Sequence, residues 1–274
     1  MTAAPVPTSD ALSAWWNVAA IVTMVLGFAT LILLTVEAYR NAPPIPLKAV
    51  DPAGAVVFTS DDVTTGQQVF LKHGLMDNGT IWGHGGYLGP DFSAQYLHNW
   101  ALDVADHIAR ERFSHAYAEL APDEVAAIDG VVARAMKQNR YDSATGALTL
   151  TTADVDSFKR QIAYWTDYLA TPANNGVLRA KAIADPQELR QLTAFFAWTA
   201  WASTAQRPGA VHSYTNNFPY DPLTGNQPTG GAVLYSAISL VFLLAGTAIV
   251  LLAFGKFDYL GWHHREPQPP PISV

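Results

Sequence analysis

The sequence predicts a mainly α membrane protein in which two transmembrane helices flank a helical, water-facing domain. Two stretches, from Trp15 to about Val36 and from Ala232 to about Phe254, are nearly uncharged. Each is long enough to cross a bilayer core of about 30 Å at about 1.5 Å per residue. Between them, from about Asn41 to Thr229, the chain is polar enough to face water and long enough to enclose one core, and its apolar residues recur at helical spacing. The chain therefore divides into an N-terminal arm (1–14), a first span (15–37), the soluble domain (38–229), a second span (230–256) and a tail (257–274).

No Lys or Arg precedes Trp15, and the apolar run is too long for the core of a cleaved signal peptide, so it reads as a retained anchor. Trp15 and Trp16 open the first span, and Tyr259 and Trp262 close the second, as amphipathic aromatics do at a membrane interface. Two spans put both termini on one side. Lys256 and Arg265 flank the termini while Arg40 and Lys48 flank the other face, so basic residues alone leave the side open. Neither span has an ionisable residue near its middle, which argues against an ion path through this chain by itself. Ala232, Ser236, Ser239 and Gly246 line one face of the second span, a pattern that lets another helix approach closely.

The soluble stretch opens on a proline linker, "NAPPIPL". A first helix follows in "SDDVTTGQQVFLKHG", with Ser60 as cap, Asp61 and Asp62 in the first turn, Gly74 as stop, and Val63, Val69 and Phe70 facing inward. Ser93 starts a second, carrying the stripe Tyr96, Leu97, Trp100, Val104 and Ile108, and Pro122, Asp123 and Glu124 start a third. "NRYDSATGALTL" has the turn residues of a small hairpin. Val155, Phe158, Ile162, Trp165 and Leu169 form the stripe of a fourth helix. Asp185, Pro186 and Glu188 supply a cap, a first-turn proline and a capping-box partner for a fifth. In that fifth helix "LTAFFAWTAWAS" distributes Phe195, Phe196, Trp198 and Trp201 around the whole circumference. Such a helix is buried on more than one side, either as a central core helix or against a partner or membrane surface. The tail "REPQPPPISV" is too proline-rich to fold alone.

Composition and motifs remove several function classes. A net charge of -7 argues against a nucleic-acid partner, which requires a basic patch. The chain has no cysteine, which excludes disulfides, thiolate metal sites, a thiol nucleophile and thioether-bound haem. His73, Asp77 and His84 lack the spacing that presents metal ligands together, and His263 and His264 are adjacent near an interface, so neither group reads as a metal site. There is no nucleophile elbow and no phosphate-binding glycine loop. The glycines of "WGHGGYLGP" do permit close backbone approach, with Trp82 and Tyr87 as large contact residues.

The order of anchor helix, "GQQVFLKHGLMDNGTIWGHGGYLGPDFSA", "WTAWAS", "YTNNFP", second span and "FDYLGWH" resembles the N-terminal part of quinol-dependent nitric oxide reductases. The resemblance covers nearly the whole chain. It implies a cytochrome c-like domain without haem, facing the periplasm or exterior of a bacterial cytoplasmic membrane, with both termini cytoplasmic. In the related cytochrome c-dependent reductases a "GQxVF"-like helix leads to a Cys-x-x-Cys-His haem site. Here the corresponding residues are Lys72, His73, Gly74, Leu75, Met76 and Asp77, so no covalent haem c forms.

In that family two nitric oxide molecules are reduced to nitrous oxide and water at a high-spin haem b and a non-haem iron, fed by a low-spin haem b. All three are held by a catalytic portion of twelve spans. The chain ends at Val274, where that portion would begin, so the expectation is a structural subunit, without catalytic residues of its own, that packs on a polytopic catalytic partner in the lipid bilayer. A fragment of a fused reductase, the matching subunit of a nitric oxide dismutase, and an extracytoplasmic sensor or ligand-binding membrane protein are the alternatives. The resemblance further implies that the backbone carbonyls of Gly85 and Tyr87 help hold a calcium ion shared with the partner, the alternative being simple packing of that loop on the partner. Quinol, the electron donor, would enter from the bilayer, which makes Trp82, His84, Trp198, Trp201 and Tyr214 candidates for quinol-entrance or partner contacts.

Overall fold

The computed structural model describes residues 14–171, 175–176 and 178–259. Trp262, His263, His264 and the proline-rich tail lie outside the described residues. The chain forms two compact units, Met1–Pro44 and Ile45–Val274. The first contains helix α1 (Ala14–Arg40), whose apolar side chains, such as Leu31 to Leu34, are exposed. In the second, a helical domain leads to helix α8 (Gly230–Leu251), which continues as a π-helical turn over Leu252–Lys256. The segments Trp15–Arg40 and Gly230–Lys256 are long and apolar enough to cross a membrane.

The helical domain contains α2 (Ser60–Lys72), the short α3 (Leu75–Asn78), α4 (Phe92–Phe113), α5 (Pro122–Lys137), α6 (Thr152–Ala170) and α7 (Pro186–Thr204). The cap of α2 is Thr59, not Ser60. The Thr59 hydroxyl accepts from the Asp62 N–H while the Asp62 carboxylate accepts from the Thr59 N–H, because the aspartate at the third helical position can reach back only to the residue before Ser60. Glu188 departs from expectation in the same way. Asp185 caps α7 through the Gln187 N–H, and the Glu188 carboxylate turns across to α2 instead.

Helix α7 is the centre of the domain. From Leu189 to Thr204 every residue except Arg190 and Trp198 is buried, which decides for a central core helix. Helix α2 packs on it most closely: a Cβ on Gly66 would lie 2.0 Å from the Gln191 carbonyl oxygen. On α7, Phe196 stacks on Phe92 of α4 with ring centroids 5.0 Å apart and planes 8° apart, and meets Trp165 of α6 at 4.9 Å. Phe70 of α2 stands edge-on to Phe92 at 5.7 Å. These rings, all buried, close the interior with side chains.

A four-stranded sheet runs in the order β2-β1-β6-β5, with β1 at Lys48–Val50, β2 at Val56–Thr59, β5 at Tyr141–Asp142 and β6 at Ala147–Thr149. β5 and β6 are the hairpin expected from "NRYDSATGALTL". β1 pairs antiparallel with β2 and parallel with β6. Its turn is held by Asp51, whose carboxylate accepts from the N–H groups of Ala53 and Ala55.

Candidate functional site

The glycine-rich segment folds back on α3 as a minimal hairpin. β3 (Thr80–Ile81) and β4 (His84–Gly85) are joined by Trp82 and Gly83, both at positive φ, 51° and 78°. Two-residue loops of this kind match the twist of their strands but strain any residue with a Cβ. Trp82 tolerates the strain because it is tied on three sides. Its backbone N–H donates to Ser93 Oγ, and its indole N–H to the Thr199 carbonyl at 3.1 Å and Ser203 Oγ at 3.0 Å. Asp91 fixes the other side, accepting from Gly83 N–H, Thr80 Oγ1 and Ala94 N–H.

Beyond this hairpin the backbone wraps α3 so tightly that side chains are excluded. The Gly86 N–H donates to the carbonyls of Met76 and Gly79, and the Gly89 N–H to that of Asn78. A Cβ on Gly85 would lie 2.2 Å from the Gly79 oxygen, and one on Gly86 2.2 Å from the Asp77 oxygen. Bare backbone is consequently presented at the surface, with the Tyr87 side chain 90% exposed and Leu88 beside it at 66%. His84 is exposed, its Nδ1 2.9 Å from the Trp82 carbonyl oxygen.

The aromatic candidates fall into two pairs. Trp82 and Trp198 lie 5.6 Å apart, half-buried, next to the hairpin that carries His84 and Gly85. Trp201 and Tyr214 lie 5.4 Å apart as a second pair. Trp201 is 5% exposed and also packs on Tyr141, so it offers no surface to quinol or to a partner, and its place here is in the core. The Tyr214 hydroxyl accepts from Asn139 Nδ2 and the Arg207 guanidinium lies over its ring, so it too is held in place.

At the end of α2, where the resemblance places haem attachment in the cytochrome c-dependent reductases, Lys72 and His73 both meet Glu188. The hydrogen bonds from Lys72 and then His73 hold the Glu188 carboxyl below the usual carboxylate range. Beside Trp201, a cavity of about 30 Å³ lies among Phe58, Tyr96, Trp100, Arg140 and Asp154, with room for water. Among the described residues no three His, Asp or Glu side chains are grouped to hold a metal ion.

Sequence reasoning missed the strap that leads into α8. Asn226, wholly buried, donates from Nδ2 to the Ser203 carbonyl at 2.8 Å and the Pro219 carbonyl at 3.1 Å, and accepts from Lys137 Nζ at 2.9 Å. Asp221 pairs its backbone with Asn226 and its carboxylate with His98 Nδ1 at 3.0 Å. The turn residues of "DPLTGN" were the available signal.

The family model for the NorB cytochrome c-like domain of nitric oxide reductase matches residues 46–220. The chain belongs to this family. In this cytochrome c-like domain the match begins at the end of the proline linker and takes in both sheets and helices α2 to α7. The two apolar helices flank it, outside the matched residues. With no cysteine in the chain, this member of the cytochrome c-like family carries no covalent haem c. No curated protein matches the chain.

Proposed function

We propose that this protein is the non-catalytic structural subunit of a respiratory quinol-dependent nitric oxide reductase, anchored by α1 and α8 and packed on a polytopic catalytic subunit that holds haem b and non-haem iron. One observation carries the reading: the domain of a nitric oxide reductase family is kept while its means of binding haem is missing. A domain without covalent haem has no centre to take electrons from a soluble cytochrome, which favours quinol as the donor to the assembled enzyme. The row of small residues on α8 supports a helical neighbour in the bilayer. In this reading residues 38–229 face the periplasm or exterior, and the tail is cytoplasmic.

The loop from Gly85 to Tyr87 is the chain's contribution to the joint with the catalytic subunit. Its chemistry fits calcium in part: exposed backbone, with glycines that let it come close, supplies neutral carbonyl oxygens, and the charged ligands must come from the partner. Bound there, calcium would cross-link the two subunits. Trp82, Trp198 and His84 lie beside this loop as partner contacts.

The deciding experiment is purification through a tag on this chain in mild detergent, with mass spectrometry and a reduced-minus-oxidised spectrum. The expected result is a co-purifying polytopic protein with b-type haem and no c-type band, with quinol-driven nitric oxide consumption. A colourless chain that purifies alone overturns the reading.

A further inference from the structure

The strap before α8 carries a second surface. Phe218 and Tyr220 are 40% and 61% exposed, although both belong to a segment held by many hydrogen bonds. Asn217 accepts from the Ser213 N–H, donates its own N–H to Ser213 Oγ, and donates from Nδ2 to the Gln227 carbonyl at 3.1 Å. The Phe218 ring rests on Gly83, where a Cβ would lie 3.2 Å from it. The rings are therefore exposed on a rigid support, as preformed contact surfaces are.

Their level is set by the chain. Gln227 precedes the first residue of α8, Gly230, by three positions, which at full extension span about 10 Å. With α8, long and apolar enough to cross the hydrocarbon core, read as a membrane span, Gln227, and with it Asn217 and Phe218, is tethered close to the headgroup layer. Charge agrees with this. The stretch 206–229 contains one acidic residue, Asp221, and it is 4% exposed and turned onto His98, whereas the whole chain is acidic at -7. No exposed carboxylate of this segment opposes lipid phosphates.

We infer that the Phe218–Tyr220 corner is a membrane-surface contact, its rings seated among lipid headgroups and steadying the domain on the bilayer. Aromatic side chains favour this layer. The inference stands on the strap and α8 alone, independently of the reductase reading.

Because the chain has no cysteine, Phe218→Cys and Tyr220→Cys each give a unique attachment point for an environment-sensitive fluorophore. The labelled full chain is placed in nanodiscs of phosphatidylcholine and phosphatidylglycerol. Glu111→Cys is the reference, as an exposed position near the far end of α4, about 29 Å along the helix from Phe92. The expected result is several-fold stronger quenching by headgroup-proximal nitroxide lipids at 218 and 220 than at 111, with protection from aqueous iodide. Iodide quenching equal to that at 111 overturns the inference. Protection from both quenchers overturns it too, and assigns the corner to a protein contact. Since Tyr220 is the more exposed, Tyr220→Cys keeps the test intact if the Phe218 variant misfolds.

Discussion

Glu188 on α7 accepts from two consecutive residues at the end of α2, Lys72 and the capping His73, and closes the end of that helix against the central one. Only Lys72 among the three side chains is well exposed, at 62%. Glu188→Gln removes the charge but keeps the shape. Because the folded carboxyl titrates below its ordinary value of 4.5, its stabilising effect is present above that pH and fades as pH falls through the lower folded value. The variant is expected to lose about 1 kcal/mol or less at neutral pH and to show a flatter decline of stability below pH 4.5, read by thermal unfolding across pH.

Gly66 and Gly130 both lie inside helices and respond in opposite directions to alanine. At Gly66 a Cβ meets the Gln191 backbone at 2.0 Å, so Gly66→Ala forces α2 off α7 and costs about 3 kcal/mol. At exposed Gly130 the nearest atom is Arg134 Nη1 at 3.8 Å, and Gly130→Ala stabilises by about 0.5–1 kcal/mol through helix propensity. Unfolding followed by tryptophan fluorescence separates the two.

Asn226→Ala leaves the carbonyls of Ser203 and Pro219 and the ammonium of Lys137 without their buried partner. The expected cost is about 2–3 kcal/mol. Limited proteolysis of the full chain should then cut within 206–229, where the parent chain resists.

If calcium is shared through the loop, its donor from Tyr87 is the carbonyl and not the ring. Tyr87→Ala removes a side chain that is 90% exposed, and the assembled enzyme is expected to keep its calcium content by elemental analysis. Loss of calcium in this variant would show that the side chain, not the backbone, makes the joint. Gly85 is unsuited to this test, since a side chain there collides with Gly79 whether or not a metal binds.

The helices were legible because their signals are local. Of the stripe Tyr96, Leu97, Trp100, Val104 and Ile108 all but the half-buried Ile108 are buried as their spacing predicts, and the all-round aromatic character of α7 announced burial on more than one side, which the core supplies. What stayed hidden depends on distant partners. Lys48 to Val50 make a strand too short to show a period, and its parallel neighbour at Ala147 to Thr149 lies almost a hundred residues on. Glu188 looked like a capping partner until the end of α2 came within its reach, and Trp201 looked like a surface candidate until Tyr141 and Tyr214 covered it. For the loop, glycine content announced close backbone approach but not that α3 is what it approaches.

The place of β1 between β2 and β6 imposes an order on synthesis. β1 and β2 can pair as soon as they leave the ribosome, but the other edge of β1 stays open until Thr149 has followed. During that interval α2, α4 and α5 emerge without the sheet that later borders them, and α7, which packs on α2 and α4, comes last of the domain's helices. The nascent chain thus spends most of its elongation as an unsealed intermediate and closes its core only just before α8 is made.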